Sequence, residues 1–227
     1  MRAVARWCRV QRLESPGLLL LIESRPHCSA VFCPRFDSVV CVEMPRAVVL
    51  VEGISDQLAV QVLARRRGRN LEVEGVSVVA MGGSKNIGRF LDRYGPKGLD
   101  VRLAGLCDER EEIDFQRGLE RAGLGANLTR EEMERLGFYV CLADLEDELI
   151  RALGTDMAED VIVGQGELEQ WRTFQNQPAW RGRKKEEQLR RFLGTHAGRK
   201  IQTAPALVDA LDLTRVPRSL DAVLTHV

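Results

Sequence analysis

The chain has no excess of charge of either sign. Its 227 residues hold 33 Lys plus Arg and 33 Asp plus Glu, a formal net charge of zero. Bulk basicity is thereby excluded as a means of holding nucleic acid, and any such surface has to come from local segregation of charge. No apolar run approaches the roughly 20 residues of a membrane span. Leu18–Ile22 is too short even for a signal-peptide core, and Glu14 and Glu23 bracket it. The expected location is therefore cytoplasmic, without membrane association. None of the six cysteines belongs to a CxxC pair. Cys8, Cys28, Cys33 and Cys41 all precede Met44, and a zinc site built from them with His27 is the lesser alternative to reduced cysteines in a loosely organised leader. Cys107 and Cys141 lie in or beside apolar runs, where small buried hydrophobes are expected. There is no internal repeat and no low-complexity tract.

Residues 1–44 scatter arginine, proline and cysteine with neither helix nor strand period. They read as a poorly structured leader, with Met44 as a candidate true start. From residue 45 onward the pattern alternates. Ala47–Val51, Val76–Ala80, Val101–Leu106 and Phe138–Leu142 are short apolar runs of the kind that form buried parallel strands. Between them lie amphipathic segments: from an N-cap at Ser55 to Arg66, Lys85–Tyr94, Glu111–Ala122, Thr129–Leu136 and Asp144–Leu153. Strands alternating with helices imply right-handed crossovers and a parallel α/β sheet. Residues 45–155 are expected to form this domain, and residues 156–227, helical and charged, an extension packed on it.

What the sequence does have is acid at the ends of strands. The run AVVLV (47–51) stops at Glu52, with Asp56 four residues on. The run VRLAGL (101–106) is followed by Cys107-Asp108-Glu109-Arg110-Glu111-Glu112. Ligands of open α/β sheets bind at the carboxyl ends of the strands. Carboxylates converging there from separate elements suit a hard divalent cation, Mg²⁺ or Mn²⁺, as one or two ions. Such ions serve phosphodiester chemistry by activating water and stabilising a leaving oxygen. Glu52, Asp56, Asp108, Glu111 and Glu146 are the candidate ligands. Each has a simpler reading, since acids at helix starts are favourable through the helix dipole alone.

VEGISD (51–56), the Gly82-Gly83 turn and LAGLCDEREE (103–112), in that order and spacing, resemble a TOPRIM domain, the catalytic module of topoisomerases, primases and several nucleases. DLEDEL (144–149) and Gly198-Arg199-Lys200, followed by an apolar stretch and Val216-Pro217, resemble more narrowly the TOPRIM domain of the OLD (overcoming lysogenisation defect) nucleases. The similarity spans about residues 46–220 and implies a Rossmann-like TOPRIM sheet whose site the helical extension completes. It implies metal-binding roles for Glu52, Asp56, Asp108 and Glu146. For Lys200 it implies a place near the scissile phosphate, where it can stabilise developing negative charge. Glu52, Asp108 and Lys200 are then the catalytic set.

Two departures matter. Many TOPRIM proteins have Asp-x-Asp where this chain has Asp108-Glu109-Arg110, which leaves Glu111 to supply the missing ligand. OLD nucleases usually carry an ATPase ahead of the TOPRIM domain, and no GxxxxGK[ST] loop occurs here. Either a separate ATPase subunit is a partner or the domain works without one. A strand-passage tyrosine is not evident, since Tyr94 and Tyr139 both fall in the sheet domain.

The expected activity is metal-dependent endonuclease action on DNA, with RNA as a second substrate class and a homodimer as a compatible state. The alternative is a non-catalytic nucleic-acid-binding or assembly module. Lys85, at the helix start after the Gly-Gly turn, can approach a phosphate. Arg181, Arg183, Lys184 and Lys185, with Arg190, Arg191, Trp171 and Trp180, can track a backbone and stack bases. An ordinary solvated helix with core tryptophans is the simpler reading of that cluster. Neither His196 nor His226 is given a catalytic role.

Overall fold

A computed structural model of the chain describes residues 28–33 and 38–227. The chain divides into two units, one ending at Val42 and the other running Glu43–Val227. In the first, two strands, β1 (Cys28–Cys33) and β2 (Ser38–Glu43), pair as a small sheet. The leader therefore holds strands that its irregular composition did not suggest. The proposed cysteine and His27 zinc group falls on side chains outside the described residues.

The second unit is built on a four-stranded parallel sheet. Its strands are β3 (Ala47–Val51), β4 (Val76–Ala80), β5 (Arg102–Asp108) and β6 (Phe138–Cys141), in the spatial order β4-β3-β5-β6. Strand residues alternate between two helical layers because side chains on a strand alternate faces. Ala47, Val49, Val51, Ala104 and Leu106 face one layer, and Val48, Leu50, Leu103 and Cys107 the other. All five residues of β3 are buried, which is why this strand reads as an unbroken apolar run. Gly105 is required by packing: a Cβ there would lie 2.5 Å from the Phe138 ring. Cys107 and Cys141 are buried and free, as their apolar surroundings suggested.

The helices α1 (Ile54–Arg66), α2 (Ile87–Tyr94), α3 (Glu112–Ala122), α4 (Arg130–Arg135) and α5 (Leu145–Leu153) follow the expected segments closely. Two of them are preceded by single 3₁₀ turns, Ser84–Asn86 before α2 and Glu109–Glu111 before α3. The start of α1 differs from expectation. Gly53, not Ser55, is its N-cap, and Asp56 reaches back to accept the Gly53 N–H at 2.9 Å.

After α5 come α6 (Thr155–Gly164), α7 (Leu168–Gln175), α8 (Lys185–Leu193), α9 (Ala197–Ala210) and α10 (Arg218–His226). They share one core with the sheet. Trp171, Leu189, Phe192, Leu207 and Leu220 join Val49, Val51 and Leu63 in a single hydrophobic cluster. Arg66 of α1 ties down the end of α9 by donating to the carbonyls of Val208 and Leu211 at 2.7 and 2.6 Å. No helix among the described residues is long and apolar enough to cross a membrane.

Candidate metal centre

Strand order fixes where a site can form. The chain goes from β3 outward to β4, then returns to the other side of β3 to form β5. The carboxyl ends of β3 and β5 therefore border a topological switch point, where the following loops diverge and leave a crevice. Val51 pairs with Leu106 in register, so Glu52 leaves β3 level with Cys107, and Asp108, the last residue of β5, lies one position further along the same edge of the crevice. The backbone of Glu52 is pinned from β4: its carbonyl accepts the N–H groups of Gly82 and Gly83 at 3.0 and 3.1 Å. Those glycines have φ of 73° and 119°, which a residue with a Cβ adopts only at a cost. Asn86 holds the same turn through the Met81 and Gly82 carbonyls.

The 3₁₀ turn after β5 decides which residues join the group. Arg110 points into solvent, whereas Glu111 is turned inward. Glu52, Asp108 and Glu111 each offer a carboxylate oxygen, and the three lie within 4.8 Å of one another. The inward place falls to 111 because a 3₁₀ turn separates the end of the strand from α3.

A second pair of acids borders this triad. Glu146, in the first turn of α5, is only 3 % exposed. Its Oε2 accepts a hydrogen bond from Lys200 Nζ at 3.0 Å, a contact made across 54 residues of chain. Lys200 is in the first turn of α9, next to the buried Arg199. The Arg199 guanidinium pairs with Glu167 at 2.6 Å, donates to the Phe192 carbonyl and lies 3.9 Å from the Phe192 ring centre. Asp56 completes the group.

The charges raise one another's proton affinity. Asp108 is pushed up to about 8 by burial, then by the charges of Asp56, Glu146, Asp144 and Glu52. Asp56 is pushed up to about 7 by burial and Glu146, against the Gly53 hydrogen bond. Glu52 is raised by burial and by Glu111, with Lys200 opposing. Burial works against the Lys200 ammonium, but Glu146, Asp144 and Asp108 outweigh it, and its pKa rises. Such a concentration of carboxylates is unfavourable without a cation to balance it.

Two atoms point to the kind of cation. Among the described residues, Glu111 Oε2 and Glu146 Oε1 are buried side-chain oxygens with no hydrogen-bond partner. Unsatisfied buried carboxylate oxygens are costly. A donor set made only of oxygen suits Mg²⁺ or Mn²⁺ rather than a softer metal, so the residues present fit such an ion.

Two further residues shape the rim, and their roles were not legible in advance. Asp144 caps α5 by accepting the Asp147 N–H at 2.9 Å, and its other oxygen takes Arg190 at 3.0 and 3.1 Å. The Asp-x-x-Asp spacing at the start of α5 signals the cap. Nothing local signals its partner on α8.

The proposed nucleic-acid contacts are scattered. Lys85 is exposed on the turn after β4, and Arg181, Arg183 and Lys184 are exposed ahead of α8. Arg183 lies 3.8 Å from Glu187. Lys185 is already engaged, pairing with Asp156 at 2.9 Å and with Glu159. Trp171 is fully buried and Trp180 packs on the core beside Phe174, so both tryptophans anchor the extension.

Residues 45–109 match the family model described as "Overcoming lysogenization defect protein-like, TOPRIM domain". Among solved structures, the C-terminal region of the Burkholderia pseudomallei OLD protein is similar with a TM-score of 0.63 at 20% identity. The match covers 80% of this chain and 96% of that one. The C-terminal region of the Xanthomonas campestris pv. campestris OLD protein, phased with mercury, is similar with a TM-score of 0.61 at 24% identity, over 82% and 95% of the two chains. No curated protein matches the sequence. At these identities the structural likeness establishes the fold, and the family match identifies the segment that carries Glu52, Asp56 and Asp108.

Proposed function

We propose, taking residues 45–109 as an OLD-like TOPRIM domain, that the chain is a divalent-metal-dependent phosphodiester hydrolase and that DNA is its substrate. The observation that carries the reading is the triad of Glu52, Asp108 and Glu111 at the switch point, within 4.8 Å, with a buried unpartnered oxygen on Glu111. Glu52, Asp108 and Glu111 would hold the ion, with Asp56 and Glu146 beside them. When bound, Mg²⁺ or Mn²⁺ supplies Lewis acidity toward a phosphoryl oxygen and a source of nucleophilic water.

The chain's own residues do the rest. The Gly82-Gly83 turn fixes the Glu52 backbone, so the carboxylate enters the crevice from a constrained strand end. Lys200, steadied by Glu146, offers positive charge toward a phosphate in the crevice, where negative charge grows in the transition state. The exposed Lys85 and the Arg181–Lys184 segment would contribute sequence-independent attraction to the backbone. An ATPase acting in trans would regulate the reaction, and nicking is expected from this chain alone.

The non-catalytic alternative drew on Arg110 in place of an acid. With Glu111 in the triad, the number of available carboxylates is not reduced, and the hydrolase is favoured. The test is nicking of supercoiled plasmid by purified protein with Mg²⁺ or Mn²⁺, lost in Glu52→Ala and in Asp108→Ala. Folded wild-type protein that leaves both DNA and RNA intact with either ion would sink the reading.

A further inference from the structure

We infer that the outer face of α2 and α3 is a track for the phosphate backbone of duplex DNA leading away from the crevice. The inference rests on the phosphodiester reading above and names a surface that would hold its substrate. Six basic side chains lie on these two helices and the turns that lead into them. Lys85, Arg89 and Arg93 form one row, and Arg110, Arg117 and Arg121 the other. All six are exposed, and no ion pair among the described residues includes any of them. The other helical layer differs. On and around α1, α5, α8 and α10, Arg67, Arg69, Arg151, Lys185, Arg190 and Arg218 are each paired with a carboxylate. The acids close to the two rows are themselves engaged. Arg130 takes Glu109 and Glu112, Asp114 accepts the Ser84 hydroxyl at 3.0 Å, and Glu120 accepts the Leu128 N–H at 3.2 Å. The helix α2 itself carries a single acid, Asp92.

Packing brings the rows together. Gly118 of α3 sits against α2, where a Cβ would lie 2.8 Å from Ile87 Cγ2, and the Arg121 guanidinium comes within 4.0 Å of the Cβ position of Gly88. Glycine at both places lets the helices approach closely. Each row starts at the crevice. Lys85 follows the Gly82-Gly83 turn that holds the Glu52 carbonyl, and Arg110, directed into solvent, directly precedes Glu111 of the triad. From Lys85 to Arg93 the cations recur every four residues, a rise of about 6 Å each time. The row is thus about 12 Å long, which matches roughly three to four phosphates on one strand of B-DNA. Proteins that select single strands present aromatic faces on which bases stack. Among the described residues no aromatic side chain is exposed, and Phe90 and Tyr94 pack against the core beneath this face. Unpaired cations without stacking platforms contact phosphates rather than bases, which suits a paired duplex.

The experiment is binding of a fluorescent duplex of about 30 base pairs to the full chain in EDTA, read by anisotropy across a salt series. The wild type is compared with a triple variant, Arg89→Gln, Arg93→Gln and Arg117→Gln. A control triple, Arg65→Gln, Arg172→Gln and Arg215→Gln, removes the same charge from exposed arginines of the other layer. The α2–α3 triple is expected to bind about tenfold more weakly, with a slope of log K against log salt shallower by about 3. The control should keep the wild-type slope, and lysine in place of the same three arginines of α2 and α3 should restore it. Plasmid nicking with Mn²⁺ should fall with binding. Hydrolysis of bis(p-nitrophenyl) phosphate, small enough to occupy the crevice alone, should not change. A triple that matches the wild type in affinity and slope overturns the inference. Equal weakening by the control overturns it too, because the attraction is then diffuse. Wild type that fails to bind the duplex also overturns it, and binding of polyglutamate lost in the triple would then assign the face to an acidic protein. Duplex binding that the triple loses, with no hydrolysis by the wild type, leaves the track standing and removes the hydrolase reading.

Discussion

Glu52, Asp108 and Glu111 come from the ends of two adjacent strands, and nothing in the described structure neutralises Glu111 Oε2. Glu146 comes from α5, and its charge is met by a lysine 54 residues further along. The two groups share one crevice, where burial and then their mutual charge raise the proton affinities of Asp56 and Asp108. The difference lies in where the compensating charge originates. One group meets no balancing charge from the chain at Glu111 Oε2 and is the proposed ligand set. The other is balanced by the fold, which makes it part of the architecture that holds α9 on α5. A carboxylate cluster can therefore combine a candidate ligand set with an ion pair made by the fold.

The sharpest way to break the comparison is to remove a triad acid. Glu52→Ala or Asp108→Ala is expected to lower Mn²⁺-dependent nicking by more than the roughly 10–100-fold typical of losing an outer-shell partner, with little change in urea stability in EDTA. Removing the lysine should do the reverse in EDTA. Lys200→Met leaves Glu146 buried and uncompensated and is expected to cost about 2–3 kcal/mol in urea unfolding. That is below the roughly 3–5 kcal/mol of a fully buried pair, because the lysine side chain is 34% exposed.

The pH dependence tests the shared repulsion. Asp56 and Asp108 rise from 3.8 to about 7 and about 8 in the folded state. The metal-free folded protein therefore holds more protons than the unfolded chain between about pH 4 and 8. The stability these two carboxyls contribute is fully present below about pH 4 and is lost as pH rises through that window. Thermal melts in EDTA should drop from pH 5.5 to 8, and saturating Mn²⁺ should flatten or reverse the trend by displacing those protons. A melting temperature in EDTA that climbs over that range would contradict the assigned environments. The smallest effect is expected at the turn. Gly83→Ala has room for its Cβ but must hold φ 119° and ψ 147°, a conformation almost confined to glycine, at a cost of about 1–3 kcal/mol. Nicking should fall with it, since that turn holds the Glu52 carbonyl.

The triad half of the site was more legible in the sequence than the lysine half, for a physical reason. A buried parallel strand writes itself as an apolar run, so Ala47–Val51 announced both the strand and the half-buried acid at its end. Asp108 followed from the same logic. Glu111 followed from counting residues around a strand-to-helix turn, although the intervening 3₁₀ turn was not foreseen. Lys200 came only from resemblance to a known motif, because its contact with Glu146 depends on how α9 packs against α1 and α5. The same distance hid the Arg190 bridge to Asp144 and the pairing of Lys185 with Asp156 and Glu159. A run of basic residues carries no local sign of which members will find acids on another helix. Ser55 failed as a cap because Asp56, one residue on, bonds the Gly53 N–H and starts the helix earlier.

The most direct test of the central claim is a crystal of the wild-type chain soaked in Mn²⁺ and measured at the manganese absorption edge. The account predicts an anomalous peak bonded at about 2.1 Å to oxygens of Glu52, Asp108 and Glu111. An empty triad would contradict it.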